Sequence, residues 1–327
     1  MYKFHRLAAA AGLSLAMSAA GAFAKDITVS YSHQANFDSE IHTAAWVFQK
    51  YAEEKLPGLT IKLYGNNQLG QERDVYEAMQ LGTGATCVIS GTAILNNFSK
   101  RTAVLDLPFL WKNYEHVHRV LDGEVGQKLA AELEQRGFKV VAWMDSWGYR
   151  NVVSAKKVIN SAADLKGLKV RTIPTKTYVA ALNAMGANAT PMAFGEVYQS
   201  LETGVLDGFE HGASAVVAQK FYEVAKHVAL TRHLFGPLVM ACAKRTWDGL
   251  TAQEKAAVTE AAIMARDVQR ALAPVREAEA FDVLRKKGMT IKEIDTTPMA
   301  QAAAKVQDEL AAEAGASELL AIIRKTN

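Results

Sequence analysis

Short apolar strands alternate with amphipathic helices from Lys25 onward, and the same alternation restarts after Ser146. That pattern restricts the chain to layered α/β architectures. Ile27, Val29 and Tyr31 alternate with Thr28, Ser30 and Ser32 in a first strand that ends at His33-Gln34. A helix is predicted from Ser39 to Glu54, strands at Leu59 to Tyr64 and Ala85 to Ile89, and between these strands a helix from Glu72 to Leu81 stopped by Gly82. One helix from Glu115 to Gln135 leads into a strand at Phe138 to Met144. The second run has strands at Asn151 to Ser154 and Leu168 to Ile173, helices at Thr177 to Met185 and Phe194 to Leu201, and a long apolar stretch from Val228 to Lys244 broken at Arg232, His233 and Gly236-Pro237. Thr251 to Lys287 then carries one very long helical pattern with Pro274 inside it, where a kink is expected. At 1.5 Å per residue it spans roughly 50 Å, enough to touch two lobes. No Pro/Gly/Ser linker divides the chain, so strands and helices must cross between any two domains.

With 327 residues, 50% of them hydrophobic, the chain can bury ample core in about two domains. Its 37 basic and 34 acidic residues are scattered, so no basic stripe points to nucleic acid. Lys3, His5 and Arg6, the apolar stretch Leu7 to Ala20 and Ala22-Phe23-Ala24 have the three parts of a secretory signal peptide. The mature chain is expected to begin at Lys25, after cleavage at Ala24. The apolar stretch is shorter than the ~20 residues of a membrane span, and no later run reaches that length, so no stable membrane insertion is expected. Cys87 and Cys242 both sit in apolar, strand-like runs. An oxidising compartment permits a disulfide between them, but two buried thiols packing as small hydrophobes is the reading the sequence favours.

Catalytic fingerprints are absent. Gly82-Thr-Gly84 follows a helix and reads as its cap and turn, not as a dinucleotide loop. His116 and His118 diverge on a helix and read as surface histidines. No cofactor or metal is expected, and with no nucleophile constellation catalysis has little support.

The motifs that decide the reading lie between Gly148 and His211: Gly148-Tyr-Arg150, Gly167-Leu-Lys-Val-Arg171, Pro191-Met-Ala-Phe194 and Asp207-Gly-Phe-Glu210-His211. With Gln68-Leu-Gly-Gln-Glu72, Leu105-Asp-Leu-Pro-Phe109 and Lys220-Phe-Tyr222, they resemble the DctP-type substrate-binding proteins of tripartite ATP-independent periplasmic (TRAP) transporters across essentially the whole mature chain. The resemblance implies a two-lobed periplasmic binding fold with crossing strands and a long kinked helix spanning both lobes. Residues 25–147 plus 236–276 are assigned to lobe I and 148–235 plus 277–327 to lobe II, with the ligand cleft between them. It also implies a monomer in the periplasm that captures a small, hydroxylated organic acid and delivers it to the TRAP membrane permease.

In that family the strand arginine matching Arg171 pairs with the ligand carboxylate, and a guanidinium fork fits a carboxylate as an ammonium cannot. Arg150 matches a second ligand-contacting position, with a lobe-stabilising surface pair as the structural alternative. Gln34, Glu72 and Ser90 match polar contacts from lobe I, although a glutamate in a helix's first turn also suits the helix dipole. Phe194 and Trp147 are read as ring contacts, with core packing and a buried hinge aromatic as their alternatives. His211 departs from the family, which usually has Asn there; imidazole can donate from one ring nitrogen but is bulkier. Asp207, Gly208 and Glu210 are read as shaping the turn and holding the lobe together. Rival readings are an ABC-type binding protein, a ligand sensor, and an exported enzyme using Glu72 with a histidine.

Overall fold

The computed structural model describes residues 26–32, 37 and 39–327. The expected signal peptide and Gln34 lie outside the described residues. The strands are β1 (Asp26–Tyr31), β2 (Thr60–Tyr64), β3 (Cys87–Gly91), β4 (Phe138–Met144), β5 (Arg150–Ser154), β6 (Lys169–Thr172), β7 (Asn188–Pro191), β8 (Gly208–His211), β9 (His227–Leu234), β10 (Leu238–Ala243) and β11 (Thr290–Glu293). The helices are α1 (Glu40–Lys55), α2 (Glu72–Leu81), α3 (Thr92–Leu95), α4 (Tyr114–Asp122), α5 (Glu124–Gln135), α6 (Lys176–Ala184), α7 (Val197–Glu202), α8 (Ala213–Ala218), α9 (Lys244–Asp248), α10 (Ala252–Lys286), α11 (Thr297–Glu313) and α12 (Ser317–Lys325).

Two sheets carry the two lobes. The first runs β2-β1-β3-β10-β4 and the second β11-β9-β5-β8-β6-β7. In each, parallel strands joined by helices make up part of the sheet, and antiparallel strands complete it where the chain returns from the other lobe. The chain crosses between sheets after β4, after β9 and along α10. Proline lacks the N–H for one helical bond, so Pro274 leaves a carbonyl one turn earlier without its usual donor.

Three sequence expectations are corrected. Cys87 and Cys242 form a disulfide, and they lie directly opposite each other where β3 pairs with β10. The predicted helix from Glu115 to Gln135 is two helices, separated at Gly123, whose backbone is extended (φ −92°, ψ −157°), and Gly126 then packs on Leu121 where a Cβ would lie 1.7 Å from its carbonyl oxygen. His116 is buried, not superficial: its Nε2 is 3.0 Å from the Ile323 carbonyl oxygen. That contact belongs to a larger return of the chain. β11 joins the second sheet, but Leu319, Leu320 and Ile323 of α12 pack in the first lobe's core with Val117 and Leu133. The segment 277–327 therefore does not pack as one piece with the second sheet.

Candidate functional site

Sheet topology gathers the site at one edge of the second sheet. His211 ends β8, Arg171 lies near the end of parallel β6, and Arg150 begins antiparallel β5, whose Asn151 faces His211. Three motifs far apart in sequence thus reach the same edge, where open α/β sheets place ligands. Facing them from the first lobe are Ser32 after β1, Gly91 at the end of β3 and the N-terminus of α2. These groups enclose a cavity of about 80 Å³, lined among others by Glu72, Trp147, Arg150, Arg171, Phe194 and His211.

Arg171 is 2% exposed, and its partners explain what it offers. Nε and Nη2 both donate to the Met192 carbonyl, at 2.9 and 2.6 Å, while Nη1 is buried with no hydrogen-bond partner. The guanidinium is thus clamped by its own lobe on one edge, with donors remaining on the other. Burial pulls its pKa down to about 10, with Arg150 adding to the fall and Glu210 and Glu72 opposing it. Its guanidinium carbon lies 5.7 Å from the Phe194 ring centre.

Arg150 is held differently. It donates from Nε to Glu210 Oε2 at 2.5 Å and from Nη2 to Glu210 Oε1 at 2.9 Å, a bidentate pair with both side chains buried. Thr172 Oγ1 donates to the same carboxylate at 3.1 Å. Burial disfavours charge on Arg150, but Glu210 and the nearby Tyr178 and Asp106 outweigh it and raise its pKa. The structural alternative for Arg150 is therefore realised as a buried pair instead of a surface one, and Glu210 holds the lobe together as expected; Arg150 still lines the cavity.

His211 Nδ1 accepts the Gly212 backbone N–H at 2.8 Å, which selects the tautomer carrying its proton on Nε2. Its ring contacts Trp147 edge-on at 5.1 Å and Phe194 at 5.2 Å. Both aromatics thus line the cavity and pack on the histidine at once. Glu72 is half-buried in the opposite wall, with its Oε1 buried and without a hydrogen-bond partner. Burial raises its pKa, opposed by the Gly91 N–H, Arg171, Ser32 and Arg150.

Ser90 does not line the cavity. It is fully buried and sits 2.8 Å from Tyr76 Oη, behind the wall that Gly91 forms. Sequence reasoning missed several lining residues: Gln71, Ile94, Ile173, Pro174 and Tyr178. Gln71 lies inside a motif already singled out and Ile173 just beyond one, so position was a usable signal; Ile94 and Tyr178 carry none beyond apolar periodicity. Tyr178 stacks under Arg150, 5.4 Å from its guanidinium carbon, and reaches Asp106 Oδ1 at 3.4 Å.

Two α/β lobes closing on a cavity with a clamped arginine on one wall define a solute-binding protein of the two-lobed periplasmic class. The chain belongs to family 7 of the bacterial extracellular solute-binding proteins, whose sequence profile matches residues 31–314. Proteins of this family are periplasmic and bind substrates for membrane permeases. The chain is 36% identical over 254 residues to the 2,3-diketo-L-gulonate-binding periplasmic protein of Escherichia coli, covering 76% of each. It is 32% identical over 325 residues to the C4-dicarboxylate-binding periplasmic protein of Rhodobacter capsulatus, covering 97% of this chain and 96% of that one. A crystal structure of a TRAP periplasmic solute-binding protein from Polaromonas, bound to D-erythronate, superimposes with a TM-score of 0.88 at 32% identity, covering 92% of this chain and 99% of that one.

Proposed function

We propose that the protein captures a small hydroxylated organic acid of the sugar-acid class in this cleft and hands it unchanged to a TRAP permease. The observation that carries the reading is Arg171 Nη1, a buried donor with no partner on a guanidinium already anchored to Met192. A carboxylate is the group that both pairs with the charge and accepts from a planar fork. His211 Nε2–H supplies a second donor, and Glu72 accepts from a ligand hydroxyl. Phe194 and Trp147 flank the carbon skeleton. Arg150, held in a buried pair by Glu210, lines the same cavity, and Gln34 is assigned a further contact from the first lobe. Relatives whose names specify 2,3-diketo-L-gulonate and D-erythronate support an acid with hydroxyl or keto groups. The protein is exported, with residues 1–24 cleaved off as its signal peptide, and works as a monomer.

A thermal-shift screen of sugar acids, simple carboxylates, neutral sugars and amines tests the reading. A binding acid at 100 times its Kd stabilises the protein by about 2.7 kcal/mol. Stabilisation by neutral sugars or amines, with none from any acid, overturns it. Glu72 and His211 do line one cavity, the pair an enzyme would need. Recovery of the bound acid chemically altered would replace the transport reading with that one.

A further inference from the structure

The charges facing the cavity do not balance for every acid. Arg171 has no carboxylate partner among the described residues, so one ligand carboxylate satisfies it. Arg150 is already neutralised by Glu210 in a bidentate pair. Arg73 also lines the cavity, but it sits at the solvated rim, 62% exposed and bonded to Glu77 at 2.8 Å. His211 has its Nδ1 lone pair engaged by Gly212 N–H. Opposite Arg171, the first lobe presents Glu72, whose Oε1 is buried and has no hydrogen-bond partner. The rest of that wall is neutral, from Ser32, Gln71, Gly91 and Ile94, while Ile173 and Pro174 continue the strand that carries Arg171.

Resting on the carboxylate reading above, we propose that the cleft selects monocarboxylic acids over dicarboxylic acids, and that Glu72 is the residue that rejects the second carboxylate. The cavity is about 80 Å³, so both ends of a short acid lie against its lining residues. A second carboxylate would be buried against the Glu72 carboxyl, whose charged form the Gly91 N–H and Arg171 favour in opposition to burial, with only neutral groups beside it, and a buried charge without an opposite charge is strongly disfavoured. A terminal hydroxymethyl group in the same place donates to Glu72 Oε1 and satisfies it. The same carboxyl therefore attracts one end group and excludes the other, which is how discrimination by an unfavourable contact works. Recognition at Arg171 is common to both kinds of acid and cannot by itself separate them.

Calorimetry with two matched pairs tests this. D-Erythronate and meso-tartrate differ only in a terminal hydroxymethyl group against a carboxylate, as do D-galactonate and galactarate. In the wild type the monoacid of at least one pair should bind roughly 100-fold or more tightly than its diacid partner, as expected for an unpaired buried charge. Glu72→Gln keeps the shape and removes the acid, and should narrow the ratio to below about tenfold, with the diacid binding more tightly than it does to the wild type. The melting temperature of the variant verifies that it is folded. Diacid binding within about threefold of the monoacid in the wild type overturns the inference even if the variant fails to fold, as does an unchanged ratio in a folded Glu72→Gln. Binding that Arg171→Ala leaves intact overturns the carboxylate reading itself.

Discussion

Replacing Arg171 by methionine should move binding and stability in opposite directions. Burial lowers the arginine's pKa from 12.5 to about 10, so holding it charged costs the ligand-free protein on the order of 3 kcal/mol at neutral pH. Its two hydrogen bonds to the Met192 carbonyl return part of that, about 1 kcal/mol each at most. Methionine fills a similar volume without charge. The ligand-free melting temperature of Arg171→Met should therefore stay level or rise. The ligand carboxylate, by contrast, loses its partner in a buried site, a loss of ~3 to 5 kcal/mol, which is roughly 100-fold or more in Kd. Arg171→Lys should also bind poorly, because one ammonium cannot hold Met192 and present a fork to the ligand. Calorimetry and thermal melting on the same preparations read both effects. A variant that melts several degrees lower without ligand, yet binds within tenfold of the wild type, would refute the argument by showing that Arg171 serves the fold.

What the sequence made legible was local. Period-two strands such as Ile27-Val29-Tyr31 and the helix closed by Gly82, whose φ is 76°, are set by neighbours a few residues apart, and the structure has them. Arg171 was singled out through the family match of its strand motif, and β6 carries it toward the sheet edge. What stayed hidden depends on residues brought together from a distance. Glu210 meets Arg150 across 60 residues because β8 pairs antiparallel with β5, and nothing near either residue announces it. Cys87 and Cys242 are 155 residues apart, so apolar surroundings favoured free thiols until the register of β3 on β10 placed them opposite each other. Ser90, matched to a polar ligand contact, lies one residue before the end of β3 yet points its hydroxyl to Tyr76, because successive strand side chains face opposite ways and it is Gly91 that reaches the cavity.

Reducing the disulfide should lower the melting temperature markedly, because closing 155 residues of chain restricts the unfolded state by about 5 kcal/mol in the chain-entropy treatment; equal melting with and without reductant would show that the link adds nothing. Asp106 gives a pH dependence of defined sign. It is fully buried, with Thr92 donating to Oδ1 at 3.0 Å and Tyr178, Arg150 and Asn96 nearby, and burial pushes its pKa from 3.8 up to about 7. The folded state thus binds this proton more tightly than the unfolded one, so its contribution is complete below pH ~4 and is lost as pH rises through about 7, a change of up to about 4 kcal/mol. Asp106→Asn should therefore melt above the wild type at pH 8 and level with it at pH 4, and parallel pH profiles would dismiss the assignment. The last prediction concerns the crossover between the sheets. Gln269 and Arg270 of α10 bond Asp145 and the Trp143 carbonyl before the crossing, and Glu277, beyond Pro274, accepts the Tyr149 N–H at 2.8 Å after it. Between those anchors Gly148 has φ 88° and lies against Glu277 so tightly that a Cβ would be 2.5 Å from the carboxyl carbon. Any side chain there must displace Glu277 or bend the crossing that carries Trp147 into the cavity. Gly148→Ala should consequently weaken acid binding at least tenfold while Arg171 and Glu72 remain in place. It should also blunt the change in tryptophan fluorescence and the decrease in radius of gyration that ligand closure is expected to produce in the wild type. Full affinity with unaltered scattering in Gly148→Ala would mean that the crossing tolerates the displacement and does not set how the lobes meet.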